Sequence, residues 1–318
     1  MVVSKKKSEF IKQNKLSWTP LVVLLAGVCC LLWGSAFPCI KIGYRLFRIE
    51  SGETVSQILF AGIRFALAGF MVIVFFSAKN KKIITPSCPA KIATLSWFQT
   101  ILQYVPFYVG LAHTTGVKSS IINGSAVFVT ILVSCVVFGQ EKLTGKKILG
   151  SVLGFLGIVI VNLGGGGLDL SISFLGEGLI LISTLSSAFS SSFIKKFSKD
   201  TDLVMLSGYQ FLLGGLIMTI LGFAMGGRLH SVSYAGWILL VYMGFISAAA
   251  YTLWSILLKY NSVSKISAYK FMNPMFGVIL SYALLQEKSQ MGWQTLVALI
   301  LVCIGIYVVN IADKRKHK

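Results

Sequence analysis

The stretch "IRFALAGF" (Ile63–Phe70) returns in altered form as "YQFLLGGL" (Tyr209–Leu216), and this return decides how the chain is built. At an offset of 146 residues Phe65 aligns with Phe211, Leu67 with Leu213 and Gly69 with Gly215. At the same offset "FGQEK" (Phe138–Lys142) meets "LLQEK" (Leu284–Lys288), so Glu141 pairs with Glu287. Near the starts of the copies "GSAFPCIK" (Gly34–Lys41) is echoed by "SSAFSSSFIK" (Ser186–Lys195). Near their ends "GIVIVN" (Gly157–Asn162) is echoed by "GIYVVN" (Gly305–Asn310), each at a slightly different offset. Short matches in a shared order predict an internal repeat, divided at the "GGGG" of Gly164–Gly167.

The medium is set by composition. A chain of 318 residues that is 55% hydrophobic and only 12% charged, with mean hydropathy +0.81, cannot present a water-soluble surface. Crossing the hydrocarbon takes roughly 20 apolar residues. The sequence supplies ten such spans, near Pro20–Ile40, Val55–Ala78, Ile92–Ala112, Val117–Phe138, Ile148–Leu163, Leu175–Ile194, Leu203–Met225, Tyr234–Leu258, Ile266–Leu285 and Trp293–Ile311. Their apolar character is continuous rather than alternating, which selects helices over barrel strands. The first span follows a basic stretch but is too long for a signal core and is expected to be retained.

The expected fold is therefore an all-α polytopic membrane protein with ten transmembrane helices. It divides into an N-terminal tail (1–19), a first five-helix repeat (20–163), a Gly-rich external linker (164–174), a second five-helix repeat (175–311) and a basic tail (312–318). Five is odd, so the second copy enters the membrane from the opposite face. The repeats are expected to be inverted, as in many secondary transporters.

The net charge of +19 is unevenly spread. Lys and Arg number 21 on the N-terminal tail and the alternate segments that share its side, against 6 on the other side. This places both termini in the cytoplasm. The basic surplus is a topology signal toward the lipid bilayer, and no nucleic-acid partner is expected. The six cysteines (29, 30, 39, 88, 135 and 303) show no metal-binding spacing and read as packing residues. All ten carboxylates fall in tails, loops or helix ends, so no acidic proton relay crosses the membrane centre, and no nucleotide-binding motif is present. No catalytic residue, cofactor or metal is expected. An intramembrane enzyme would need paired aspartates or a nucleophile beside a base, and a passive scaffold would not need polar stripes inside its spans. Oligomeric state is left open.

Together "LLWGSAFPCIK", "IRFALAGF", "FGQEKLTGKKILGSVLGFLGIVIVNLG" and "NPMFGVILSYALLQEK" with "GIYVVN" resemble the drug/metabolite transporter superfamily, in its ten-helix branch of two EamA-type domains. The resemblance spans both halves. It implies a secondary transporter that exports a small metabolite such as an amino acid from a central cavity; drug-like compounds and nucleosides are the alternative cargo. The proline usual before the acidic residue is Pro274 in the second half, but Phe128 stands in its place in the first.

Polar residues on the helical faces give the candidate site. In the third span Gln99, Gln103, Pro106, Gly110 and His113 form one stripe; in the ninth Lys270, Asn273, Pro274, Gly277 and Ser281 do the same. Arg64 shares a face with Gln57, and its repeat mate is Gln210. Serines and glycines on such faces also serve as helix-packing seams. The amides and charges fit a wet cavity better, since facing lipid costs several kcal/mol each.

Lys270 lies ~6 Å inside its span, where it either snorkels or draws an anionic group of the substrate; the adjacent Pro274 leaves a carbonyl unpaired one turn back. Arg64 is deeper, ~14 Å, with structural and substrate roles both open. Trp33 and Tyr251 are candidate cavity walls, with Phe37, Tyr104, Tyr108 and Trp254 beside them. Glu141 and Glu287 are expected to tie off backbone N–H groups at the start of the following helix.

Overall fold

The computed structural model describes residues 16–50, 52–80, 88–114, 122–163, 173–230, 234–285 and 293–314. Glu287, the centre of the Gly-rich linker and most of the N-terminal tail lie outside them. Among the described residues the chain is helical, with no strand.

In chain order the helices are α1 (Thr19–Leu46), α2 (Thr54–Asn80), α3 (Pro89–Leu95), α4 (Leu102–Ala112), α5 (Ala126–Leu132), α6 (Gly145–Leu163), α7 (Leu179–Phe197), α8 (Leu203–Ala224), α9 (Tyr234–Tyr260), α10 (Val263–Ala268), α11 (Met272–Leu285) and α12 (Trp293–Lys314). Wider π turns continue some of them: Ser96–Ile101 joins α3 to α4, Val133–Val137 extends α5, and Phe174–Gly178 leads into α7. A 3₁₀ turn, Tyr269–Phe271, links α10 to α11. The ninth apolar span thus begins three residues earlier than Ile266 and is interrupted at Lys270.

Five described helices are long and apolar enough to cross a membrane: Thr19–Leu46, Thr54–Asn80, Phe174–Phe197, Leu203–Ala224 and Tyr234–Tyr260. Large apolar side chains stand on the outer surface, among them Leu24, Phe75, Phe223 and Ile238. A water-soluble monomer rarely tolerates such a surface, whereas a lipid solvent favours it. The helix starts follow local chemistry. Pro20 sits in the first turn of α1, Asp202 Oδ1 accepts from the N–H groups of Val204 and Met205 at the head of α8, and Ser262 Oγ accepts from Lys265 N at the head of α10.

The crossing of α2 and α8 repeats one contact in both copies. A Cβ added at Gly69 would lie 2.3 Å from Leu212 N, and one added at Gly215 would lie 2.2 Å from Ala66 N. Ala66 and Leu212 are themselves 146 apart, so the two contacts are the same contact seen from either copy. Gly62 against Thr219 and Gly208 against Ile73 repeat the relation. Residue numbers rise along α2 as they fall along α8, so the helices run antiparallel. A second crossing, of α6 with α12, behaves alike: a Cβ at Gly157 would lie 2.8 Å from Ala298 O, and one at Gly305 2.6 Å from Gly150 O. Glycine here removes the side chain that would hold two backbones apart.

The serines of α7 serve the π turn opposite. Ser186 Oγ donates to Phe98 O at 2.6 Å, within the π turn, and Ser183 Oγ to Gln103 O at 2.5 Å. Wider winding disturbs the regular i−4 ladder, and neighbouring hydroxyls satisfy carbonyls there.

Candidate functional site

An aromatic group sits where α1, α2, α4, α8 and α9 meet. Phe65 and Phe211, repeat mates, stack with ring centroids 5.5 Å apart and planes 6° from parallel. Tyr104 lies against Phe65 at 4.5 Å and Tyr251 against Phe211 at 4.9 Å. The hydroxyls of Tyr104 and Tyr251 hydrogen bond to each other, closing a ring of four side chains drawn from both copies. Trp33 of α1 packs edge-on to Tyr251 at 4.9 Å and to Trp254 at 5.0 Å, extending the wall toward α10.

One cation stands at each end of this wall. The Arg64 guanidinium lies 4.4 Å from the Phe65 ring centroid and 5.9 Å from that of Tyr104. The phenols of Tyr44, Tyr104, Tyr108 and Tyr251 surround it closely enough to interact with its charge. Lys270 Nζ lies 5.8 Å from the Trp254 ring centroid and 3.5 Å from Ser187 Oγ. All three cation–ring distances fall within the range of a favourable interaction. Neither cation has an ion-pair partner among the described residues. Arg64 is 5% exposed, and its Nε has no hydrogen-bond partner among them.

Lys270 is half-buried and reaches this point through the 3₁₀ turn Tyr269–Phe271, whose tighter winding turns the side chain toward α7 and α9. Cys30 Sγ donates to the Tyr269 carbonyl at 3.2 Å and holds the turn against α1. Asn273 follows in α11, half-buried, with its Oδ1 unpartnered among the described residues. Pro274 lies in α11, its side chain outside the described set.

The other expected site residues part company here. Gln103 lies beside Tyr251 of the aromatic group, and its backbone carbonyl accepts from Ser183 Oγ. Gln99 is buried at 4% exposure in the π turn. Gln210, fully buried, is held in a helix contact: Thr100 Oγ1 donates to its Oε1 at 2.9 Å and Ser96 Oγ to its carbonyl at 2.9 Å. It packs α8 against the π turn, with its Nε2 unpartnered among the described residues. Gly69 and Gly215 belong to the helix crossing described above.

Glu141 corrects an expectation. Its Oε1 accepts from Ser264 N at 3.0 Å, at the head of α10, far along the chain rather than at the start of the following helix α6. Its Oε2 pairs with Lys147 Nζ at 2.5 Å, on side chains 7% and 2% exposed. The loop before α6 folds back beside α10, so the nearest open N–H groups are those of the second copy. Burial alone would raise the Glu141 carboxyl, but hydrogen bonds from Lys147 and Ser264 outweigh it and hold the group below its ordinary range.

Two participants escaped the sequence reading. Tyr44 carried no signal beyond its apolar surroundings. Ser187 lies in the matched "SSAF" stretch, but its proximity to Lys270 follows from helix crossing alone.

The chain matches the EamA-like transporter family over residues 20–163 and again over 174–311. It is 26% identical over 287 residues to an uncharacterized transporter of Archaeoglobus fulgidus, covering 87% of this chain and 94% of that one. It is 27% identical over 291 residues to the uncharacterized inner membrane transporter YedA of Escherichia coli K12, covering 87% and 89%. It is 25% identical over 306 residues to the uncharacterized transporter YvbV of Bacillus subtilis, covering 92% of each. A solved crystal structure 14% identical in sequence superposes with a TM-score of 0.76, covering 94% of this chain and 99% of that one, and shares the fold.

Proposed function

This chain belongs to the EamA-like transporter family of the drug/metabolite transporter superfamily, and on that premise we propose that it exports a small metabolite, such as an amino acid, by alternating access. In this reading ten helices cross the membrane as two inverted repeats of five, residues 20–163 and 175–311, with both termini in the cytoplasm. The site lies at the aromatic wall between the copies.

The reciprocal glycine contacts of α2 and α8 carry the reading. A contact in which residue i meets j and the mate of j meets the mate of i is self-complementary, as across a two-fold axis. For antiparallel helices that axis runs perpendicular to them, hence in the membrane plane. A fold symmetric about such an axis can open to either face around one central site. Lys270, at the broken turn, draws the anionic end of the solute toward the wall, since a cation inside the membrane with no fixed counter-ion among the described residues favours an anionic ligand.

Proteoliposomes loaded with amino acids, nucleosides and small organic acids test this. Mass spectrometry of the external medium is expected to show selected solutes leaving faster than from protein-free vesicles, unchanged chemically. No selective loss of any solute refutes transport of these classes. Lys270→Ala is expected to slow carboxylate-bearing solutes; equal flux through both proteins reduces Lys270 to an anchor.

A further inference from the structure

The aromatic wall is rich in donors that lack acceptors. Among the described residues Arg64 Nε, Trp33 Nε1 and Trp254 Nε1 are buried without a hydrogen-bond partner. The phenols add to the surplus. Tyr104 and Tyr251 hydrogen bond to each other, and Tyr44 lies close to Tyr108. The Tyr104–Tyr251 pair contains two hydroxyl protons and uses one between them, which leaves the second to offer a ligand. Phe65 covers the guanidinium at 4.4 Å, which leaves its edge, where the N–H groups lie, as the direction from which a ligand is recognised.

A packing role for this charge is weakened by the repeat. The position is occupied in the second copy by Gln210, which is fully buried, accepts from Thr100 at its Oε1 and from Ser96 at its backbone carbonyl, and leaves only its Nε2 without a partner among the described residues. A neutral amide therefore suffices for the helix crossing, and the first copy adds a cation where the second does without one. A buried guanidinium with no counter-ion is costly to hold in a low-dielectric interior, and the expense is relieved when an anion arrives.

We propose that Arg64 and the hydroxyls of Tyr44, Tyr104, Tyr108 and Tyr251 form a subsite for the carboxylate of the transported solute. The proposal rests on the transport reading above and names where its cargo is held. A planar guanidinium edge matches a carboxylate with two parallel N–H···O bonds, and hydroxyls satisfy the remaining lone pairs. One fixed positive charge is balanced by a monoanion, whereas a phosphate dianion would leave an excess negative charge among the rings. Lys270, beyond Trp33 and Trp254, acts on approach and is not the seat.

Thermal unfolding of the full-length protein in detergent, at constant ionic strength, tests the subsite with sodium acetate, sodium benzoate and sodium phosphate, and sodium chloride as control. The carboxylates are expected to raise the midpoint saturably in the wild type and in Lys196→Ala, which removes an exposed cation away from the wall. Arg64→Gln, which copies the residue at the repeat position, is expected to lose the ligand-dependent rise. Tyr251→Phe and Tyr108→Phe keep the cation and are expected to weaken the apparent affinity several-fold, which tests the subsite even if Arg64→Gln does not fold. Absence of a carboxylate effect, an equal effect in wild type and Arg64→Gln, the same loss in Lys196→Ala, or a response to phosphate alone would each overturn the assignment. The flux assay separates the two readings. Solute export with no Arg64-dependent carboxylate binding sinks the subsite and leaves transport standing; Arg64-dependent binding without any flux does the reverse.

Discussion

Phe65 and Phe211 stack 5.5 Å apart with their planes 6° from parallel, and they hold the same position in the two copies of the repeated sequence. Each ring thus meets its own counterpart, and the surrounding contacts are duplicated about the same point. The glycines that let α2 and α8 close around this stack are the first place to test the arrangement.

Gly215→Ala places a methyl group 2.2 Å from Ala66 N, which is backbone and cannot swing aside. The helices must separate, at an expected cost of about 1–3 kcal/mol. Gly69→Ala, in the mirrored contact, is expected to cost a similar amount. Gly145→Ala has nothing within 4 Å and serves as control, with a change within about 0.5 kcal/mol. Thermal midpoints in detergent measure all three, and an innocuous Gly215→Ala would contradict the close crossing.

Glu141 and Lys147 form a pair with side chains 7% and 2% exposed. Glu141→Gln leaves the lysine without its counter-ion and is expected to lower stability by about 3–5 kcal/mol, as for other broken buried pairs. Adding Lys147→Met removes the stranded charge, so the double variant is expected to recover part of the loss. Strictly additive losses would show that the pair is not coupled.

The same carboxylate predicts a pH dependence. Burial opposes its ionisation, yet the hydrogen bonds from Lys147 and Ser264 prevail and depress its titration below the ordinary range. A depressed carboxylate stabilises the fold fully above its unfolded value, about 4.3, and that contribution is lost as pH falls through the folded value. The midpoint of the wild type is expected to drop more steeply below about pH 4.3 than that of Glu141→Gln. Parallel pH profiles of the two proteins would remove Glu141 as the source.

Lys195 donates to the carbonyls of Leu258, Lys259 and Asn261 at 2.9, 3.0 and 2.6 Å, satisfying the end of α9. Lys195→Met is expected to cost about 1–3 kcal/mol and to speed amide exchange in the last turn of α9. Exchange unchanged there would mean that water replaces the ammonium group without loss.

Much of this molecule was legible along the chain. Arg64 and Lys270 stood out because a charge amid apolar residues is visible without any neighbour, and Gly69 and Gly215 stood out because repetition marked them. The partners of these residues were not legible. Glu141 was expected to serve the helix that follows it, and it serves α10 instead, because a loop's route in space is unrelated to the order of helices along the chain. Gln210 read as a cavity residue from its helical face, and its hydrogen bonds to Thr100 and Ser96 turn it into a packing contact.

By itself the sequence determined the lipid solvent, the helical class and the duplication, since hydropathy, continuity of apolar runs and repetition are properties read locally. Only the tertiary structure decided that Phe65 meets Phe211, that Tyr104 meets Tyr251, and that Arg64 and Lys270 stand at opposite ends of one aromatic wall. Those meetings depend on the register at which distant helices cross. Steric fit between whole surfaces sets that register, and no short stretch of either helix encodes it alone.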